Sequence, residues 1–147
     1  MNWLRRNGLF SVTSISQYSC PFFCEYPYGV YIFPNRHVPY MTDLNEEERF
    51  ALGVTIRDTV AMFDNLFDYQ FPYMMCMHNA PVNTGDYSKD YHFHIEFFPP
   101  MRSADKQKFN ASSETGAWAH CNPRAPEESS EEMRQAYQKM LRKRAEK

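Results

Sequence analysis

At 147 residues, with 43% hydrophobic and 23% charged side chains, the chain has the size and balance of one globular domain with its own core. Its formal net charge of −2 removes any broad electrostatic case for nucleic acid or a membrane surface, and no apolar run approaches the roughly 20 residues that cross a bilayer. Twelve Phe, ten Tyr, two Trp and nine Met point to an aromatic-rich sheet core rather than a Leu-rich helical bundle.

Residues 1–17 carry Arg5, Arg6 and several Ser, a composition shared by mitochondrial presequences and by short irregular leaders; we read an irregular leader. Residues 18–33, aromatic and β-branched and punctuated by Pro21, Pro27 and Gly29, predict two short strands with a turn near 25–28. Pro34 and Asn35 stop the second strand. A helix over 46–67 follows, because Asn45 can cap it, Glu48 can return the bond, and three consecutive acids suit the positive end of the dipole. Leu52, Ile56, Val60, Phe63 and Phe67 would form its apolar face. This helix should lie across a sheet.

The run at 72–78 is too short for a helix and predicts a strand, 79–90 a polar loop, and 91–98 another strand ended by Pro99 and Pro100. Residues 102–126 read as irregular. A last helix starts near Pro126 or Glu127, with acids first, Arg142, Lys143 and Arg144 last, and Met133, Tyr137, Met140 and Leu141 as its stripe. The four cysteines (Cys20, Cys24, Cys76, Cys121) are scattered. Cys20 and Cys24 lack a second pair to complete a tetrahedral metal site, so reduced thiols in the cytoplasm are expected.

The strand around His92-Phe93-His94-Ile95-Glu96-Phe97 carries the chemistry. Alternate strand residues share a face, so His92, His94 and Glu96 would point one way and Phe93, Ile95 and Phe97 into a core. The bland alternative is an exposed face with chance histidines. Three ligand-type side chains in alternation fit a site better. His78 ends the preceding strand and can approach the same face if the two strands pair antiparallel. Imidazole nitrogens and a carboxylate suit zinc or iron.

At these residues a family becomes recognisable. PFFCEYPYGVYIFPNRHV, TDLNEEER, FDNLF, FPYMMCMHNAP and HFHIEFFPPMRS occur in an order that resembles the C-terminal half of galactose-1-phosphate uridylyltransferase, over about residues 20–120 and with the final helix included. We set 18–147 as that domain and 1–17 as an unmatched leader. The resemblance implies an α+β, histidine-triad-like antiparallel sheet with packed helices. It also implies a divalent metal, zinc or iron, on His78, His94 and Glu96, with His92 as a spare candidate on the same face. The family often has His at the position of Glu96. Lys108, Phe109 and Glu114 match a Lys-Phe pair and a downstream acid that hold the hexose phosphate and sugar hydroxyls, typically across a dimer interface; an ammonium suits phosphate and a carboxylate suits hydroxyls.

The resemblance further implies UDP-glucose and galactose-1-phosphate as substrates of a nucleotidyltransferase in galactose metabolism. The family's nucleophile is a histidine of a His-Pro-His motif in the N-terminal half, and that motif does not occur in this sequence. The leading expectation is therefore a cytoplasmic half-protein, inactive alone, whose partner is the N-terminal half or a second copy. One alternative is a standalone histidine-triad hydrolase or transferase with His94 as nucleophile. Another is a non-catalytic sugar-nucleotide-binding module.

Overall fold

A computed structural model describes residues 9–12 and 16–146, with side chains from Cys20 onward. Its main sheet is antiparallel and has five strands: β1 (Leu9–Val12), β2 (Ser16–Ser19), β3 (Val30–Pro34), β4 (Met74–His78) and β5 (His94–Phe98), in the order β1-β2-β3-β5-β4. Two long helices, α1 (Glu46–Asp64) and, last in the chain, α3 (Pro126–Ala145), pack on this sheet and on each other. Between them come a small hairpin, β6 (Met101–Ser103) with β7 (Lys106–Gln107), and a short helix α2 (Ser112–Ala117). The expected α+β architecture is present. Among the described residues no helix is long and apolar enough to cross a membrane.

Three expectations about extent are corrected. The irregular leader contains β1 and the start of β2, paired as a hairpin. Residues 20–29, expected to be mostly strand, form turns instead. There Cys24 N–H bonds to the Pro21 carbonyl and Gly29 N–H to the Tyr26 carbonyl, both at 3.0 Å. Gly29 is required by close approach, since a Cβ at that position would sit 2.4 Å from Cys24 Sγ. The irregular stretch after the double proline holds β6, β7 and α2, elements too short to leave a periodic signature.

The first helix begins as the sequence dictates. Asn45 Oδ1 accepts from Glu48 N–H and Glu48 Oε2 accepts from Asn45 N–H, each at 2.9 Å. It ends at Asp64 rather than 67, because the Asn65 side chain turns back on the Ala61 carbonyl at 2.8 Å. Its buried face is also rotated from expectation. Leu52, Thr55, Thr59, Met62 and Phe63 are buried, while Ile56 and Val60 are only partly so. The threonines tolerate this because each hydroxyl donates at 2.8 Å to the carbonyl four residues back. In α3 the buried stripe is Ser129, Ser130, Met133, Ala136 and Met140, and Leu141 is exposed.

The core face of the sheet is set by Val30 and Ile32 opposite Phe97 and Ile95, all fully buried with Phe93 against Leu52, Phe63 and Met133. That leaves His94 and Glu96 on the opposite face.

Candidate metal centre

Register builds the site. The β4–β5 pairing places His78 directly across from His94, and Cys76 directly across from Glu96. On the other flank of β5, Tyr31 of β3 stands across from Glu96. Directly opposed residues of an antiparallel pair share a face, so these side chains gather on the side away from the helices.

His78, His94 and Glu96 converge as the sequence predicts, with one donor atom from each lying within 4.8 Å of the others. The imidazoles of His78 and His94 stack at 4.8 Å and 14°. Glu96 Oε1 is 3.1 Å from His94 Nε2 and 3.8 Å from His78 Nε2. His94 is oriented through both ring nitrogens, with Nδ1 2.9 Å from the His92 carbonyl and Nε2 within hydrogen-bond distance of the Glu96 carboxylate. His78 Nε2 is buried with no hydrogen-bond partner among the described residues. A buried imidazole nitrogen left without a partner, a second imidazole nitrogen and a carboxylate converge here within metal-ligating reach of one another. The donor set therefore fits a divalent metal.

His92 stands apart from this group. The strand begins at His94 rather than 91, and the ring of His92 is used by the preceding loop. Its Nε2–H donates to the Pro34 carbonyl at 2.9 Å, and its Nδ1 accepts from Val38 N–H at 3.3 Å. With both nitrogens committed, and its ring stacked on His37 at 5.2 Å, His92 secures the 34–38 loop. It is absent from the group of convergent donors.

Two aromatic residues that sequence reasoning missed wall the site. Tyr31 stacks on His94 at 6.3 Å and 13°, and its phenol is pushed above its ordinary range first by burial and then by the charge of Glu96. Tyr91 lies 5.9 Å from the His94 ring, and its phenol is raised by burial, then by Glu96 and Cys76. The strand pairing would have revealed Tyr31. It is not readable from one strand at a time.

The expected hexose-phosphate residues lie beyond the double proline. Lys108 N–H is anchored to the Pro100 carbonyl at 2.8 Å, and its ammonium meets Glu114 Oε1 at 2.5 Å. Glu114 also accepts from Ala111 N–H at 2.6 Å and Cys121 N–H at 3.1 Å. Lys108 and these backbone donors hold its carboxyl at a pKa of about 2. The two charged groups face each other and are shielded, while Phe109 projects into solvent. The four cysteines are free, and no second group of three convergent metal-ligating side chains occurs among the described residues.

The antiparallel sheet, with the His78–His94 pair on one face and the helices on the other, has the fold of histidine-triad proteins. A zinc-bound histidine-triad protein from Mycobacterium smegmatis superposes with a TM-score of 0.59 at 15% identity, covering 91% of this chain and 86% of that one. The family described as galactose-1-phosphate uridyl transferase, C-terminal domain, matches residues 5–143, and the chain belongs to that family. The match begins inside the segment set apart as a leader. The galactose-1-phosphate uridylyltransferase of Thermotoga maritima is 44% identical over 115 residues, covering 78% of this chain and 36% of the relative. A solved uridylyltransferase superposes with a TM-score of 0.81 at 29% identity, over 89% of this chain and 41% of that one. The chain thus spans less than half the length of either relative.

Proposed function

We propose that the chain works as the metal-bearing, hexose-phosphate-binding half of a UDP-glucose–hexose-1-phosphate uridylyltransferase. The observation that carries this reading is the unpartnered His78 Nε2 facing His94 Nε2 and Glu96 Oε1. His78, His94 and Glu96 would hold zinc or iron, and the ion would supply a positively charged cross-link between β4 and β5. Lys108, Phe109 and Glu114 are the contacts for galactose-1-phosphate. Their closed ion pair supports a site pre-set in spacing, in which an incoming phosphate shares the Lys108 ammonium with Glu114.

Uridylyl transfer needs a nucleophile for the α-phosphorus of UDP-glucose, and His-Pro-His does not occur here. In this reading the chain alone is inactive, and the N-terminal half of the enzyme or a second copy completes the site. Cytoplasmic residence belongs to the same reading and is supported by the free thiols.

One observation favours a second reading. With Nδ1 turned to the His92 carbonyl, His94 directs Nε2 to the face away from the helices beside Glu96, where as a neutral imidazole it would be a nucleophile of the histidine-triad kind. Intact-mass analysis after incubation with UDP-glucose separates the two. The first reading predicts no added uridylyl mass; an adduct that disappears in His94→Ala replaces it with the second.

A further inference from the structure

A ligating carboxylate needs a further contact to hold one oxygen toward the ion. Glu96 turns Oε1 to the imidazoles, 3.1 Å from His94 Nε2 and 3.8 Å from His78 Nε2. Toward the middle of the sheet its cross-strand neighbour is Tyr31, directly opposite on β3. Opposed strand positions hold their Cβ atoms about 4.5–5.5 Å apart and diagonal ones about 7–8 Å, both within reach of an aromatic side chain. Tyr31 uses both relationships. Across the strand its phenol meets the Glu96 carboxylate by charge and by hydrogen bonding. On the diagonal its ring lies nearly parallel to that of His94, with 6.3 Å between centroids and 13° between planes. Phe23 braces the Tyr31 ring edge-on at 5.6 Å and 82°, and the ring packs against the buried core. One side chain thus meets two of the three convergent donors.

We infer that Tyr31 is the positioning residue of this metal centre: its hydroxyl donates to Glu96 and keeps Oε1 toward the imidazoles, while its ring fixes the plane of His94. The inference rests on the metal reading of His78, His94 and Glu96. Tyr31 is not itself a ligand, and it acts through the two it touches. A phenol stays protonated at neutral pH, so Tyr31 brings Glu96 a donor and no charge. The carboxylate keeps its negative charge for the ion, and the ordering of Glu96 is complete before metal arrives. Packing alone would make Tyr31 a wall. The hydroxyl beside Glu96 is what separates a positioning role from that one.

The test is a double-mutant cycle on zinc affinity in the full chain, measured by competition with a chromophoric chelator. Tyr31→Phe keeps the ring, and with it the stack on His94, and deletes only the hydroxyl. Zinc affinity should fall by about tenfold or more, the cost of losing an outer partner of a ligand. In a Glu96→Ala background the same substitution should cost nothing further, because the hydroxyl then has no carboxylate to hold. A role in packing alone would lower the affinity equally in both backgrounds. Circular dichroism and the melting temperature of the metal-free proteins control for folding. An affinity unchanged in Tyr31→Phe, or an equal loss with and without Glu96, overturns the inference and leaves the metal reading intact. Zinc that binds equally well to His78→Ala, His94→Ala overturns the metal reading itself. Should Tyr31→Phe misfold, the unaltered chain still decides: saturating zinc should perturb the near-ultraviolet tyrosine absorption, and a flat difference spectrum overturns the inference.

Discussion

Lys108 Nζ and Glu114 Oε1 lie 2.5 Å apart, and each side chain is 4% exposed. The pair also lies beneath Tyr26, with the ammonium 4.9 Å from the ring centroid. It therefore ties the β7–α2 region to the turn segment before β3.

That pairing has a pH signature. Glu114 is depressed from 4.5 to about 2 by Lys108 and by two backbone N–H donors, and Glu48 is depressed from 4.5 to about 2 by Arg36 and the Asn45 N–H. A carboxyl with a lowered folded-state pKa contributes stability that is complete above its unfolded value and is lost as pH falls through the folded one. Thermal midpoints should therefore drop as pH is taken from 4.5 toward 2. Glu114→Gln should start less stable at neutral pH and lose less across that window. Parallel curves for the two proteins would show that the pair contributes nothing to acid stability.

A second prediction concerns the core. Tyr28 is fully buried and donates to Glu132 Oε2 at 2.7 Å, while Arg124 bonds to both its hydroxyl and the Glu132 carboxylate. This network fastens α3 to the turns before β3. Removing the hydroxyl leaves a part-buried, charge-assisted bond unmade, at a cost of about 1.5–3 kcal/mol. Chemical denaturation of Tyr28→Phe should register that loss with an unchanged denaturant slope. An effect near zero would mean that Arg124 alone satisfies Glu132.

The elements legible in the sequence were those whose signal is local. The Asn45–Glu48 box, the alternation of His94, Ile95, Glu96 and Phe97, and the dipole-matched last helix all rest on neighbours along the chain. Errors arose where a distant contact decides. Thr55 and Thr59 read as polar, yet bonds to their own helix let them enter the core and rotate its face. His92 read as a member of the strand face, but Pro34 and Val38 claim both its nitrogens. Tyr31 and Cys76 became visible only once register was known.

Association follows from the sheet edge. β4 ends the five-stranded order, and Met75 and Met77 lie on the core face, where α1 and α3 leave them 40% exposed. Met74 on the other face is 50% exposed, and Tyr73 extends the patch. An apolar, unpaired edge is a template for another chain. Light scattering coupled to size exclusion at micromolar concentration should show a dimer or larger species. Replacing Met75 and Met77 by lysine should shift it toward monomer. A monodisperse, concentration-independent monomer in the unaltered chain would contradict this.

The most direct test of the account is the metal content of the chain purified without chelator. Elemental analysis should find zinc or iron approaching one per chain. The His78→Ala, His94→Ala double variant should lose it while retaining the circular dichroism of the metal-free parent, because the two imidazoles leave only Glu96 of the convergent trio in place. A double variant that keeps its full complement of metal would contradict the assignment.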